Sequence, residues 1–278
     1  MKRYSTWPIF IISLPDAKER RSPLKKTLET AGLRYEIFYA VDARKGVPDK
    51  YKNMVDVSGM KERFGRQMSD PEIGCALSHI SVYKEIVRRQ LPGALVLEDD
   101  TLWSDAATAL LRKLEPGEID FLQLDYGWAD IWRLIPAKRS GVAGIKFKRL
   151  AKNAGLANSY VISKYAAKYL INESSPICFP ADWPCDLRPL RPMVCCPRVS
   201  RQSHAEQGNS YLESGRKYSK AHSLKPDVLA TQGKSVTENR RTRRNPRPEM
   251  PYLLYRLLIT RVPAADIRDE IQAKEASE

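Results

Sequence analysis

Three adjacent carboxylates, Glu98, Asp99 and Asp100, follow the apolar run Leu95-Val96-Leu97. Neighbouring groups of like charge repel one another, and a hard divalent cation with oxygen ligands is the usual means of holding such a cluster together. An apolar strand that delivers acids at its carboxyl end also matches the ligand edge of an open α/β sheet. The chemistry expected at this point is metal-assisted handling of something phosphorylated.

Other residues could join that site. Arg20 and Arg21 stand in the first turns of an expected helix, close to the sheet edge where a phosphate would be cradled. Among Lys18, Glu19, Lys25 and Lys26, and taken by themselves, they read more readily as a solvated helix face. Asp42 follows an expected strand, where it could accept from a ribose hydroxyl or serve as an ordinary loop aspartate. Ser78 and His79 lie inside a helical pattern, a setting in which histidine is more often structural than catalytic. Asp182 and Asp186 flank Trp183 in a proline-stiffened loop. That arrangement suits a sugar, with the ring on the C–H face and the acids on the hydroxyls, and it suits a turn whose aspartates cap local N–H groups equally well.

The elements that position these groups can be read from periodicity. Pro8 to Leu14 is a short, continuously apolar run, as in a strand buried on both faces of a parallel sheet. Asp16 with Glu19 resembles a capping box, and Leu24, Leu28 and Gly32 then describe a helix ending at glycine. Residues 34–40 read as a second strand. Ser69, Pro71 and Glu72 start a strong helix that carries Ile73, Leu77, Ile80, Tyr83 and Val87 at helical spacing. Strands are expected over 94–97, 119–125, 159–163 and 193–199, and helices over 104–114 and 164–171. The alternation predicts an α/β fold with a mainly parallel central sheet flanked by helices. Residues 126–149, with Trp128 and Trp132, read as an irregular pocket-lining loop.

Composition sets outer limits. With 278 residues and 42% hydrophobic content the chain can bury a large core, which excludes disorder throughout. Lysine and arginine outnumber acids 47 to 33, a net charge of +14 that calls for an anionic partner without choosing phosphate, nucleic acid or membrane. The five cysteines form no C-x-x-C pair, so packed, reduced thiols in the cytoplasm are expected rather than a zinc ribbon or disulfide framework. The N-terminal apolar run is too short for a signal peptide, and no stretch reaches the roughly 18–20 apolar residues of a transmembrane helix. Two segments follow: one large domain over 1–214, which would carry the site, and a basic C-terminal part over 215–278. The latter contains Arg240, Arg241, Arg243, Arg244 and Arg247, then an aromatic and aliphatic stretch over 252–262 expected as a helix at a membrane or a partner subunit.

Taken in order, Ile11-Ile12-Ser13-Leu14 with Glu19-Arg20-Arg21, Ala40-Val41-Asp42, Glu72-Ile73-Gly74-Cys75-Ala76-Leu77-Ser78-His79, Leu97-Glu98-Asp99-Asp100 and Tyr160-Val161-Ile162-Ser163 resemble glycosyltransferase family 25 over about residues 8–200. The resemblance implies a GT-A, Rossmann-like domain and inverting transfer from a UDP-sugar. It implies that Leu14, Arg20, Arg21, Asp42, Ser78, His79, Glu98 and Asp99 face the donor. It further implies that Glu98 and Asp100 form an acid-x-acid element holding a divalent cation, Mn2+ before Mg2+, with Asp100 the direct ligand. His204 would complete the metal shell, Asp182 would be the general base, and Asp186 would be second choice for it.

The implied reaction moves a hexose, galactose before glucose, onto a lipid-linked saccharide of bacterial lipooligosaccharide. The enzyme would lie peripherally on the cytoplasmic face of the inner membrane, as a monomer or homodimer. The competing readings are a basic nucleic-acid-binding protein, which would have no use for the three acids, and a family member without turnover.

Overall fold

The computed structural model describes residues 7–115, 117–203 and 257–264. His204, most of the basic C-terminal part and its arginine run lie outside the described residues. Strand β1, Ile9–Ser13, is buried at every position. Helix α1, Lys18–Thr30, turns Leu24 and Leu28 inward. The expected capping box is not formed: Ala17 caps the helix without a side-chain bond, and Asp16 pairs with Arg44 at 2.8 Å instead.

Strand β2, Glu36–Tyr39, is followed by the short helices α2, Asp49–Lys52, and α3, Val57–Gly59. The long helix α4, Asp70–Arg88, begins where expected, with Glu72 accepting from the Ser69 backbone N–H at 2.9 Å. Strand β3, Gly93–Glu98, leads through Asp99 and Asp100 to β4, Thr101–Trp103, and then to helix α5, Asp105–Leu111, capped by Ser104. Strands β5, Phe121–Gln123, β6, Trp128–Trp132, β7, Lys138–Arg139, and β8, Lys146–Arg149, come next. Strand β9, Ser159–Ser163, runs into helix α6, Lys164–Glu173. Strands β10, Met193–Cys196, β11, Ser200–Gln202, and β12, Ile259–Pro263, complete the described strands.

The main sheet has the order β2-β1-β3-β9-β5-β10-β8-β7. Strands β2, β1 and β3 are mutually parallel, as are β5 and β10, while β9 enters antiparallel between β3 and β5. Gly93 permits the close approach at that junction, since a Cβ there would lie 2.5 Å from the carbonyl oxygen of Ile162. Side-chain alternation gives the sheet two apolar faces. Phe10, Ile12, Val96 and Tyr160 pack with α4 and α6, and Ile9, Ile11, Leu95 and Leu97 pack with α1 and α5.

Two expectations are corrected. Residues 126–149 are not an irregular loop: they hold β6 to β8, and β8 joins the main sheet antiparallel to β10, burying Phe147 while Lys146 stays exposed. Within the helix expected over 252–262, Leu257 and Leu258 are helical, but residues 259–262 belong to the strand Ile259–Pro263, paired antiparallel with β6. The β-branched Ile259, Thr260 and Val262 suit an extended chain, and β6 presents an edge for them to pair with. No disulfide joins the five cysteines, and no helix among the described residues is long and apolar enough to cross a membrane.

Candidate functional site

The parallel register brings Ile12 beside Glu98, so the carboxyl ends of β1 and β3 emerge together, with the residues after β2 next to them. Helix α4 covers this corner with the face carrying Cys75, Ser78 and His79. The result is an open cleft of roughly 730 Å³ when the solvent space at its mouth is included. Leu14, Arg20, Asp42, Ser78, His79, Glu98 and Asp99 line it together, which gathers seven of the residues singled out in the sequence.

The three acids have different surroundings. Asp99 is 7% exposed, and its carboxylate accepts from Ser13 Oγ at 2.8 Å and from Arg20 Nε at 2.6 Å. Burial raises its pKa above the ordinary aspartate value, against the attraction of Arg20. Asp100 is 4% exposed and not part of the lining, and its Oδ2 accepts from Arg20 Nη2 at 2.8 Å and from Gln202 Nε2 at 3.0 Å. One guanidinium therefore bridges two adjacent buried carboxylates, and although burial lowers the Arg20 pKa, Asp100 and Asp99 outweigh that and leave it raised. Glu98 is half-buried in the wall, with Oε1 3.2 Å from His79 Nε2 and 3.9 Å from Cys75 Sγ.

Arg21 does not line the cleft. Its guanidinium donates to Ser13 Oγ at 3.1 Å and to the Leu14 carbonyl at 2.9 Å, fixing the end of β1 beneath Asp99. Ser78 is a structural pin, accepting the Val41 N–H at 2.9 Å and donating to the Gly74 carbonyl at 2.6 Å, so the segment leading to Asp42 is tied to α4. Gly74 lets the two approach, because a Cβ would lie 2.8 Å from the Val41 carbonyl oxygen. Asp42 is exposed at the rim, where side-chain bonds from Arg44 at 2.6 and 2.9 Å hold its pKa down at about 2. His79 is 2% exposed, with Nδ1 2.7 Å from the Tyr160 hydroxyl, which lies 2.8 Å from the Tyr83 hydroxyl. It is both a core residue and part of the wall.

The loop with Asp182 and Asp186 is not brought into the cleft. Asp182 is exposed and accepts the Ala157 N–H at 3.1 Å. Asp186 accepts the Arg188 N–H at 3.0 Å and pairs with its guanidinium at 2.8 Å, as the turn reading requires. Those bonds outweigh burial and lower its pKa. Trp183 is no sugar platform: it is 3% exposed and packs edge-on against Phe121 and Tyr160, with centroids 4.6 and 4.9 Å away.

Sequence reasoning gave no role to Ser13, Arg44, Cys75, Tyr160 or Gln202. Cys75 was within reach, since Cys75 and His79 are four apart and share one helix face. Gln202 was not, because its bond to Asp100 spans about a hundred residues and follows no pattern.

The family described as glycosyltransferase family 25 (LPS biosynthesis protein) matches residues 6–184. Procollagen galactosyltransferase 2 of Mus musculus is 36% identical over 121 residues, covering 42% of this chain and 19% of that protein. Procollagen galactosyltransferase 1-B of Xenopus laevis is 27% identical over 174 residues, 59% of this chain and 28% of that protein. The inactive glycosyltransferase 25 family member 3 of Mus musculus is 27% identical over 215 residues, 68% of this chain and 36% of that protein. The chain thus spans well under half the length of these relatives. Its family match runs from before β1 into the Asp182 loop and includes every cleft-lining residue except Gln202, and the chain belongs to glycosyltransferase family 25.

Proposed function

We propose that this chain is an inverting glycosyltransferase that moves a hexose, galactose before glucose, from a UDP-sugar to a saccharide acceptor of lipooligosaccharide. The observation that carries this reading is the cleft at the carboxyl ends of three parallel strands, with Glu98 in its wall and the Arg20 and Arg44 guanidiniums along it. The relatives named as galactosyltransferases support the choice of sugar.

The donor atoms present fit a divalent cation through Glu98, the acid of the three that Arg20 does not engage through a hydrogen bond or ion pair. Such a cation, when bound, stabilises the charge that grows on the departing diphosphate. Asp99 and Asp100 keep Arg20 in place beneath it and contribute negative charge to the site. In the proposed step the acceptor hydroxyl oxygen bonds to the anomeric carbon, and the bond from that carbon to the diphosphate oxygen breaks, its electron pair leaving on UDP. The hydroxyl proton passes to Asp182. Asp182 is solvent-exposed and tied to Ala157, whose neighbour Asn158 accepts the Glu98 backbone N–H at 2.8 Å. Asp182 thus stands outside the cleft lining, on a loop bonded to the residue next to Asn158. The basic C-terminal part would hold the protein on an anionic membrane surface near its lipid-linked acceptor.

The test is UDP release from a panel of UDP-hexoses, with a lipooligosaccharide acceptor, in the presence and absence of Mn2+. Asp182→Asn is expected to bind donor normally and lose about 10²–10⁴-fold in transfer. No release with any donor would refute the enzyme reading. The match to a relative named as inactive gives one alternative weight, a family member that binds donor without turnover. Donor binding without transfer under every condition would establish it.

A further inference from the structure

Cys75 Sγ, His79 Nε2 and a Glu98 carboxylate oxygen all lie within 4.8 Å of one another in the cleft wall. We propose that these three residues form a site for a thiophilic divalent cation of the zinc class, whose sulfur, nitrogen and single oxygen donor set differs from that of a hard cation held through Glu98. Three features support the assignment.

The first is spacing. Zinc bonds of about 2.3 Å to sulfur and about 2.1 Å to nitrogen or oxygen, at tetrahedral angles, put sulfur about 3.6 Å from oxygen and nitrogen about 3.4 Å from oxygen. The observed separations are 3.9 Å and 3.2 Å. Those two pairs would reach bonding geometry by movements of a few tenths of an ångström, and the sulfur–nitrogen pair lies within 4.8 Å.

The second is donor type. A thiolate, an imidazole and one carboxylate form a set that selects zinc-class ions over Mg2+ or Mn2+, which prefer oxygen. Cys75, His79 and Glu98 all line the cleft, so an ion held by them would have room for a water or ligand oxygen as a fourth partner.

The third is support behind the ligands. Cys75 and His79 are one helical turn apart on α4 and half-buried and buried respectively, so neither has to be drawn in from solvent. The far ring nitrogen of His79 meets the Tyr160 hydroxyl, which is itself bonded to Tyr83. A hydrogen bond of that kind fixes the ring orientation and the tautomer that leaves Nε2 as the ligand. The Tyr160 ring is held in turn by Phe121 and Trp183. The buried aromatic cluster under the cleft thereby acquires a purpose beyond filling space.

The site shares Glu98 with the donor cleft described above, but ion binding can be measured without any transfer reaction. The full-length protein, freed of metal with a chelator, is titrated with Co2+ as an optical probe and then with Zn2+. One ion per chain is expected, with a near-ultraviolet thiolate-to-cobalt charge-transfer band that Zn2+ abolishes. Cys75→Ser should remove the band. Tyr160→Phe should keep it while weakening affinity about 10–100-fold, a change a purely structural residue would not produce in a protein that melts normally. Should Cys75→Ser fold poorly, wild-type protein decides the matter: Zn2+ must protect Cys75 from iodoacetamide, as read by peptide mass spectrometry. Absence of the charge-transfer band in the wild type, its persistence in a folded Cys75→Ser variant, or unprotected Cys75 at saturating Zn2+ would each overturn the assignment. A failure of transfer with intact Co2+ binding would count against the glycosyltransferase reading alone.

Discussion

Arg20→Ala is the most informative single substitution, because one side chain compensates two buried charges. Arg20 meets Asp99 at 2.6 Å and Asp100 at 2.8 Å, and the two acid side chains are 10% and 2% exposed. Removing one partner of a buried ion pair costs about 3–5 kcal/mol, since the remaining charge stays desolvated. Arg20 itself is 20% exposed and Asp99 and Asp100 keep bonds from Ser13 and Gln202, so the low end, about 3 kcal/mol, is expected. For a domain of about 200 residues that corresponds to a fall in Tm of about 6–12 °C.

The loss should depend on pH, and its sign follows from linkage. Burial already raises the Asp99 pKa, and without Arg20 it rises further. An acid whose folded pKa lies above its unfolded value binds protons more tightly when folded, so its penalty is full above the folded pKa and fades as pH falls through it. Arg20→Ala should therefore be most destabilised near pH 7.5 and recover part of the difference near pH 5, measured by urea denaturation at both. Asp99→Asn in the Arg20→Ala background should also restore stability at pH 7.5. A deficit that is equal at both pH values and unmoved by Asp99→Asn would show that Arg20 acts through packing and refute the charge argument.

Three further outcomes are expected. Trp183→Ala should cost about 3–5 kcal/mol in denaturant unfolding, since the indole is buried against Phe121 and Tyr160; lost acceptor affinity with unchanged stability would instead restore a sugar-stacking role. Arg44→Ala should raise the Asp42 pKa from about 2 toward 3.8, so that the stability this carboxylate contributes at neutral pH, which the wild type loses only as pH falls toward about 2, is missing from the variant already at neutral pH; an NMR titration of the Asp42 carboxyl that does not move would rule out the pairing. Ser78→Ala should cost about 1–3 kcal/mol and speed hydrogen exchange at the Val41 amide, which loses its acceptor; unchanged protection would mean that another group holds the loop.

How much of this site was legible depended on whether the determining contact was local. The start of α4 was readable because Ser69 and Glu72 satisfy each other within one turn, and β3 because its apolar run matches a buried parallel strand. The position of the acids followed from both. The division of labour among them was hidden, since it rests on Arg20, 79 residues from Asp99, and on Gln202 from β11. The Asp182 loop misled for a different reason. Aromatic rings beside carboxylates have one appearance in sequence whether the ring faces a cleft or plugs the core, and Trp183 is turned inward by a backbone φ of +58°, a conformation no residue pattern announces for a bulky side chain.

Ser78 and His79 show how far local reasoning goes. Consecutive helical residues point about 100° apart, so adjacency never implied a shared task. Ser78 reaches the Val41 N–H and holds the rim, while His79 reaches between Tyr160 and Glu98. Choosing between a structural and a functional histidine treats one ring as though it had one nitrogen. Nδ1 meets the buried Tyr160 hydroxyl and Nε2 meets a carboxylate in the cleft wall, so the contact that makes His79 structural is the one that orients its other nitrogen toward the site.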